Sequence, residues 1–154
     1  MRDNSMLEIV IADDDLDDRM LIEDAFAESK LRNPITFVEH GEDLMDRLNG
    51  KGRFSDRANA PLPGLVILDL NMPRMDGREA LSLMKKDPRL KLIPVVVLTT
   101  SKAEEDIVRT YDLGVSSFIS KPVTFDGLCD VVKTLNRYWI EIVQLPPTTT
   151  RIAA

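Results

Sequence analysis

Short apolar runs alternate along the chain with longer segments whose apolar positions recur at helical spacing. Residues 7–12 (LEIVIA), 35–39 (ITFVE), 65–68 (LVIL), 94–98 (PVVVL) and 117–120 (SFIS) are compact runs. Continuous runs of this length, closed by polar or breaking residues, read as strands buried on both faces of a parallel sheet. Between them, residues 16–29 carry Leu21, Ile22, Ala25 and Phe26 on one helical face. Residues 42–48 carry Leu44, Met45 and Leu48, and residues 78–86 carry Ala80, Leu81 and Met84. Residues 103–113 carry Ile107, Val108 and Tyr111, with Gly114 as a C-terminal stop. A last helical pattern starts near Phe125 and uses Leu128, Val131, Val132 and Leu135. This alternation predicts an α/β domain with helices on both faces of a parallel sheet.

The polar residues that close the strands carry the chemistry. Asp69 follows Leu65–Leu68 directly, ahead of a turn rich in Pro and Gly. In open α/β sheets that edge is where ligands bind. A carboxylate there can attack a phosphoryl group, or it can merely start a turn or cap the next helix. Asp13, Asp14 and Asp15 follow the first strand, and Asp17 and Asp18 open the next helix. A helix N-terminus favours one or two of these charges. So dense a cluster otherwise needs protons or a cation, for which Mg²⁺ is the natural hard ion. An EF-hand is excluded, because Asp18 stands where that loop requires Gly and a strand precedes it. The fourth strand closes on Thr99-Thr100-Ser101 and the fifth on Lys121-Pro122. A hydroxyl and an ammonium at those two ends can both meet an anion.

Taken together, the Asp13–Asp14 pair, the segment LDLNMPRMDG from Leu68 to Gly77, LTTS at 98–101 and SKP at 120–122 resemble the receiver domain of two-component response regulators. The resemblance spans residues 7 to about 135. It implies a flavodoxin-like, doubly wound five-stranded sheet in the order 2-1-3-4-5, with the site at its switch point. It implies that Asp69 accepts phosphate from a histidine kinase and that Asp13, Asp14, Asp69 and the Asn71 backbone carbonyl hold Mg²⁺, with Mn²⁺ as a substitute. Thr99 and Lys121 would contact the phosphoryl group, and Thr99 and Phe118 would be the switch residues. The chain would then be no enzyme beyond its own phosphorylation and dephosphorylation.

Composition narrows the partners. At 154 residues the chain suits a single domain with a real core, and its 44% apolar content is ordinary. A net charge of −6 argues against a direct nucleic-acid binder. The lone Cys129 fits a reducing, cytoplasmic setting, and no apolar run reaches membrane-spanning length. His40, the single histidine, reads as a surface-turn residue beside Gly41, so a phosphodonor histidine must belong to a partner.

Two segments exceed a minimal receiver. Residues 50–63 are polar and irregular, a long loop that is either functional or mobile. Past residue 135, Tyr138, Trp139, Ile142, Val143 and Leu145 prolong the apolar content until Pro146-Pro147 ends it. Either this helix folds back on its own domain, or Tyr138, Trp139, Ile142 and Val143 form a homodimer contact, the reading adopted here. The expected organisation is one receiver domain over residues 1–145 with an extended C-terminal helix, and an arm or tail over 146–154. No output module is expected, so an unknown downstream protein or phosphotransfer protein would read the signal. Both extra segments resemble stand-alone receivers paired with phytochrome kinases, which implies a phytochrome-type donor. Two other classes are weighed. A haloacid dehalogenase-type phosphatase wants an Asp where Asn71 stands, and a flavodoxin-like cofactor binder would repel its phosphate with Asp69 and the Asp13–Asp14 pair.

Overall fold

The computed structural model describes residues 7–29, 32–70, 72, 74–75, 77–99, 117–120 and 124–137, with backbone alone for 98–99 and 117–120. Strands β1 (Ile9–Ala12), β2 (Ile35–Val38), β3 (Leu65–Leu68), β4 (Val95–Thr99) and β5 (Ser117–Ser120) form one sheet. Its order is β2-β1-β3-β4-β5 and every pairing is parallel, as expected. Helices α1 (Leu16–Glu28), α2 (Gly41–Asn49), α3 (Gly77–Lys86) and α4 (Phe125–Asn136) cover it. The helix expected at 103–113 lies outside the described residues, as do residues 138–154. Among the described residues no helix is long and apolar enough to cross a membrane.

The strands bury both faces because their alternate side chains feed two separate cores. Ile9, Ile11, Leu65, Ile67 and Val96 pack with Ile22, Ala25 and Phe26 of α1 and Leu128, Cys129, Val132 and Leu135 of α4. Val10, Ala12, Val66, Leu68 and Val95 pack with Leu44 and Leu48 of α2 and Ala80, Leu81 and Met84 of α3. The α1 stripe is narrower than its sequence suggests. Leu21 is 38% exposed, and Leu16 and Met20 are 60% and 58% exposed.

Residues 50–63 differ from the expected irregular loop. A 3-10 segment, Gly52–Arg57, follows α2 and buries Phe54 in the core. Gly50 and Gly52, with φ of 64° and 56°, make the reversal that brings it back. Arg53 and Arg57 then reach the outer strand β2. Arg53 donates to the Phe37 carbonyl at 3.1 Å, and Arg57 lies 3.4 Å from the Thr36 hydroxyl. An edge strand left bare is a pairing hazard, and these two arginines give β2 side-chain partners there.

Candidate functional site

The sheet register builds the site. β1 and β3 pair Ala12 with Leu68, so the next residues, Asp13 and Asp69, emerge side by side at the C-terminal edge. The Asp69 N–H donates to the Ala12 carbonyl at 3.0 Å, and the Asp13 N–H to the Val38 carbonyl at 3.0 Å. Asp13 is buried, Asp69 half-buried and Asp14 exposed. One carboxylate oxygen from each lies within 4.8 Å of the other two. Three carboxylates gathered so closely repel one another, and a bound cation would offset that charge. An all-oxygen set with one solvent-facing member suits Mg²⁺ or Mn²⁺, which bind through a few carboxylates and keep several waters.

The remaining acids of the cluster have other work. Asp15 caps α1, its Oδ1 accepting from the N–H groups of Asp17 at 2.9 Å and Asp18 at 3.3 Å. Its own N–H donates to Asp13 Oδ1 at 2.9 Å, which orients that carboxylate. Asp17 and Asp18 occupy the first turn, where negative charge is favoured. Capping and the candidate cation site are therefore divided among neighbouring residues.

Two glycines bring the loop after Asp69 close to its surroundings. A Cβ on Gly77 would lie 2.5 Å from the Asp69 carbonyl oxygen. A Cβ on Gly41 would lie 2.4 Å from the Met75 oxygen, to which the Gly41 N–H donates at 2.7 Å. Arg74 sits at φ 61° and pairs with Glu42 at 2.5 Å. His40, expected in a surface turn, is the half-buried N-cap of α2, and its Nδ1 accepts from the Asp43 N–H at 3.1 Å. In the neutral ring this puts the proton on Nε2. The Arg74 guanidinium, 3.4 Å from Nε2, therefore meets a donor and makes a contact rather than a hydrogen bond.

Thr99 ends β4 and pairs with Ser120, while Phe118 pairs with Val97. The backbone thus brings Thr99 to the same edge as Asp13 and Asp69. The side chains of Thr99 and Phe118 lie outside the described residues, as do Asn71, Lys121, Tyr138, Trp139, Ile142 and Val143.

Sequence reasoning missed a buried charge network under β1 and β2. Arg47 of α2 is 2% exposed and pairs with Glu8, whose other neighbours are the Thr36 hydroxyl and Arg57 at 3.2 Å. Burial alone would raise the Glu8 pKa. Hydrogen bonds from Arg47 and Thr36 and the charges of Arg47 and Arg57 outweigh it and hold the carboxyl below its usual value. Asp43 behaves alike: burial raises it, but Arg53, bonded at 2.9 and 2.7 Å, and the Glu39 N–H leave it lowered. The signal was present, because Arg47 shares a helical face with Leu44 and Leu48, and a buried guanidinium needs a carboxylate.

A parallel sheet of this order with three acids at its switch point defines a phosphoryl-receiving signalling domain. The response regulator receiver domain matches residues 9–133, and the chain belongs to that family. This places it in two-component signalling, against the phosphatase and cofactor-binder alternatives. It is 36% identical over 138 residues to the response regulator Rcp1 of Synechocystis sp., covering 90% of this chain and 92% of Rcp1. The Mn²⁺-bound structure of Rcp1 superposes with a TM-score of 0.81 over 91% of this chain and 99% of that one. The phosphorylated cyanobacterial phytochrome response regulator RcpA gives 0.83 at 39% identity, with 92% of this chain and 99% of that one covered. The response regulator RPA3017, from red light signalling of R. palustris, gives 0.84 at 31% identity with the same coverages.

Proposed function

We propose that Asp69 is the phosphoacceptor of a phosphorylation switch driven by a histidine kinase. The observation that carries the reading is the gathering of Asp13, Asp14 and Asp69 within 4.8 Å at the C-terminal edge of β1 and β3. Asp13, Asp14, Asp69 and the Asn71 carbonyl would hold Mg²⁺, which neutralises charge on the transferring phosphoryl group. An Asp69 carboxylate oxygen attacks phosphorus in line. The P–O bond to Asp69 forms as the P–N bond to the donor imidazole breaks, and the leaving ring nitrogen takes a proton. Lys121 and the Thr99 hydroxyl meet the new acceptor oxygens, and Phe118 turns inward, changing the surface that a downstream protein reads. Apart from its own phosphorylation and dephosphorylation, the chain turns over no substrate.

The kinase docks on α1. Leu16, Met20 and Leu21 are exposed there, within the first turns of the helix that follows Asp14, and Phe125 is 38% exposed at the start of α4, which packs against α1. Exposed apolar residues interleaved with Asp17 and Asp24 on this helix suit a helical partner bearing the donor histidine. Likeness to RcpA and RPA3017 supports a phytochrome-type donor. Residues 1–145 act as one receiver unit that dimerises through Tyr138, Trp139, Ile142 and Val143, with 146–154 as an arm. The acidic balance favours a protein reader in the cytoplasm over nucleic acid or membrane. Incubation with a phytochrome kinase of the same organism tests the pairing. Transfer to Asp69 should differ between red and far-red light, and absence of transfer in either state would remove the phytochrome assignment.

A further inference from the structure

We propose that Arg74 is a positioning residue for the chemistry at Asp69, holding the loop between β3 and α3 against the start of α2 through Glu42. The inference rests on the phosphoacceptor reading above. Among the described residues, Arg74 is the non-glycine residue with positive φ, at 61°. Glycine is the ordinary occupant of that region, so an arginine there needs a reason in its side chain. The guanidinium supplies one, reaching Glu42 at 2.5 Å in the first turn of α2. The Arg74 side chain is 62% exposed, so core packing does not explain it.

The loop is fixed at two places. Its two ends are joined where the Gly77 N–H donates to the Leu70 carbonyl at 3.0 Å, and Gly77 lies against the Asp69 carbonyl. Just before that closure, the Met75 carbonyl accepts from the Gly41 N–H beside the Arg74–Glu42 pair. The first turn of α2 is itself held, by the His40 cap and by the Asp43 carboxylate gripped by Arg53. A loop anchored on a fixed floor transmits a slackened Arg74 to the backbone at Asp69. Positioning of this kind sets rate, because small displacements of a reacting group are expensive.

Four full-length proteins test this: wild type, Arg74→Gly, Glu42→Gln and the double variant. Three quantities are read, namely the rate of Asp69 labelling by acetyl phosphate with Mg²⁺, the affinity for Mn²⁺ by electron paramagnetic resonance, and the melting temperature. Arg74→Gly relieves the left-handed strain, so it should melt at or above wild type. It should still label two- to fivefold more slowly, the size an exposed ion pair supports, and bind Mn²⁺ more weakly by a similar factor. Glu42→Gln should slow labelling likewise with an unchanged melt, and the double variant should be no slower than Arg74→Gly. A purely structural role makes rate follow melting temperature. Wild-type labelling rates in either single variant, or additive slowing in the double variant, would overturn the proposal while leaving the phosphoacceptor reading intact. A folded wild type that takes no label at Asp69 would overturn both.

Discussion

At the residue scale, the acids were legible because their positions are extreme. Asp69 and Asp13–Asp14 each interrupt an apolar run at its end, and the register of β1 and β3 sets them side by side. Which acid caps α1 was not legible, since Asp13, Asp14 and Asp15 are equivalent in one dimension and only the chain's turn assigns Asp15 to the cap. Glu8 was read as part of a strand, whereas it lies just before β1 and closes a buried pair with Arg47. That pair yields a pH-dependent expectation. The folded-state pKa of Glu8 is lowered, so its contribution to stability is fully present above the unfolded value, about 4.3. It is lost as pH falls through the lower folded value, because the unfolded chain takes up the proton first. Glu8→Gln leaves Arg47 buried without its carboxylate and should destabilise the protein at pH 7 by about 3 kcal/mol. The variant should also lose less stability than wild type between pH 7 and pH 3. Urea unfolding at both pH values checks this, and parallel losses in the two proteins would refute the role of Glu8.

At the element scale, every described strand and α-helix was anticipated from the apolar pattern to within a residue or two, while the short 3-10 turn Leu90–Leu92 was not. The segment after α2 was not, because its order depends on one apolar residue, Phe54, and on arginines whose partners lie far along the chain. Phe54 packs in the core beneath Arg53, whose guanidinium carbon lies 4.2 Å from the ring centroid. The α1 stripe was read too wide for the opposite reason, since Leu21 fits the helical pattern but faces outward. The proposed docking face of α1 consists of the exposed Leu16, Met20 and Leu21, and Asp17 stands in the first turn of that helix. Asp17→Lys should slow phosphotransfer from the kinase about tenfold, as loss of electrostatic steering allows. Labelling by acetyl phosphate should be unchanged, because the small donor needs no docking face. Equal slowing with both donors would place Asp17 in the metal pocket instead.

At the scale of the whole molecule, strand–helix alternation gave the parallel sheet, while the strand order came through the family resemblance and is the order observed. Two cores on opposite faces pack β1 and β3 beneath the edge where the three carboxylates gather. Assembly is the next level. The proposed dimer buries Trp139, Ile142 and Val143, an apolar group of the kind that monomers usually avoid exposing. Truncation after Arg137 should therefore convert a dimer to a monomer in light scattering. A full-length protein that stays monomeric at high micromolar concentration would contradict the dimer.

Phosphorylation at Asp69 is the chemistry on which the proposed switch depends. Intact mass spectrometry of the full chain after incubation with acetyl phosphate and Mg²⁺ tests it. Wild type should gain a single phosphoryl group, chelation of Mg²⁺ should prevent the gain, and Asp69→Asn should remain at its unmodified mass. A phosphoryl group retained on Asp69→Asn, or a wild type that gains none while folded and supplied with Mg²⁺, would contradict it.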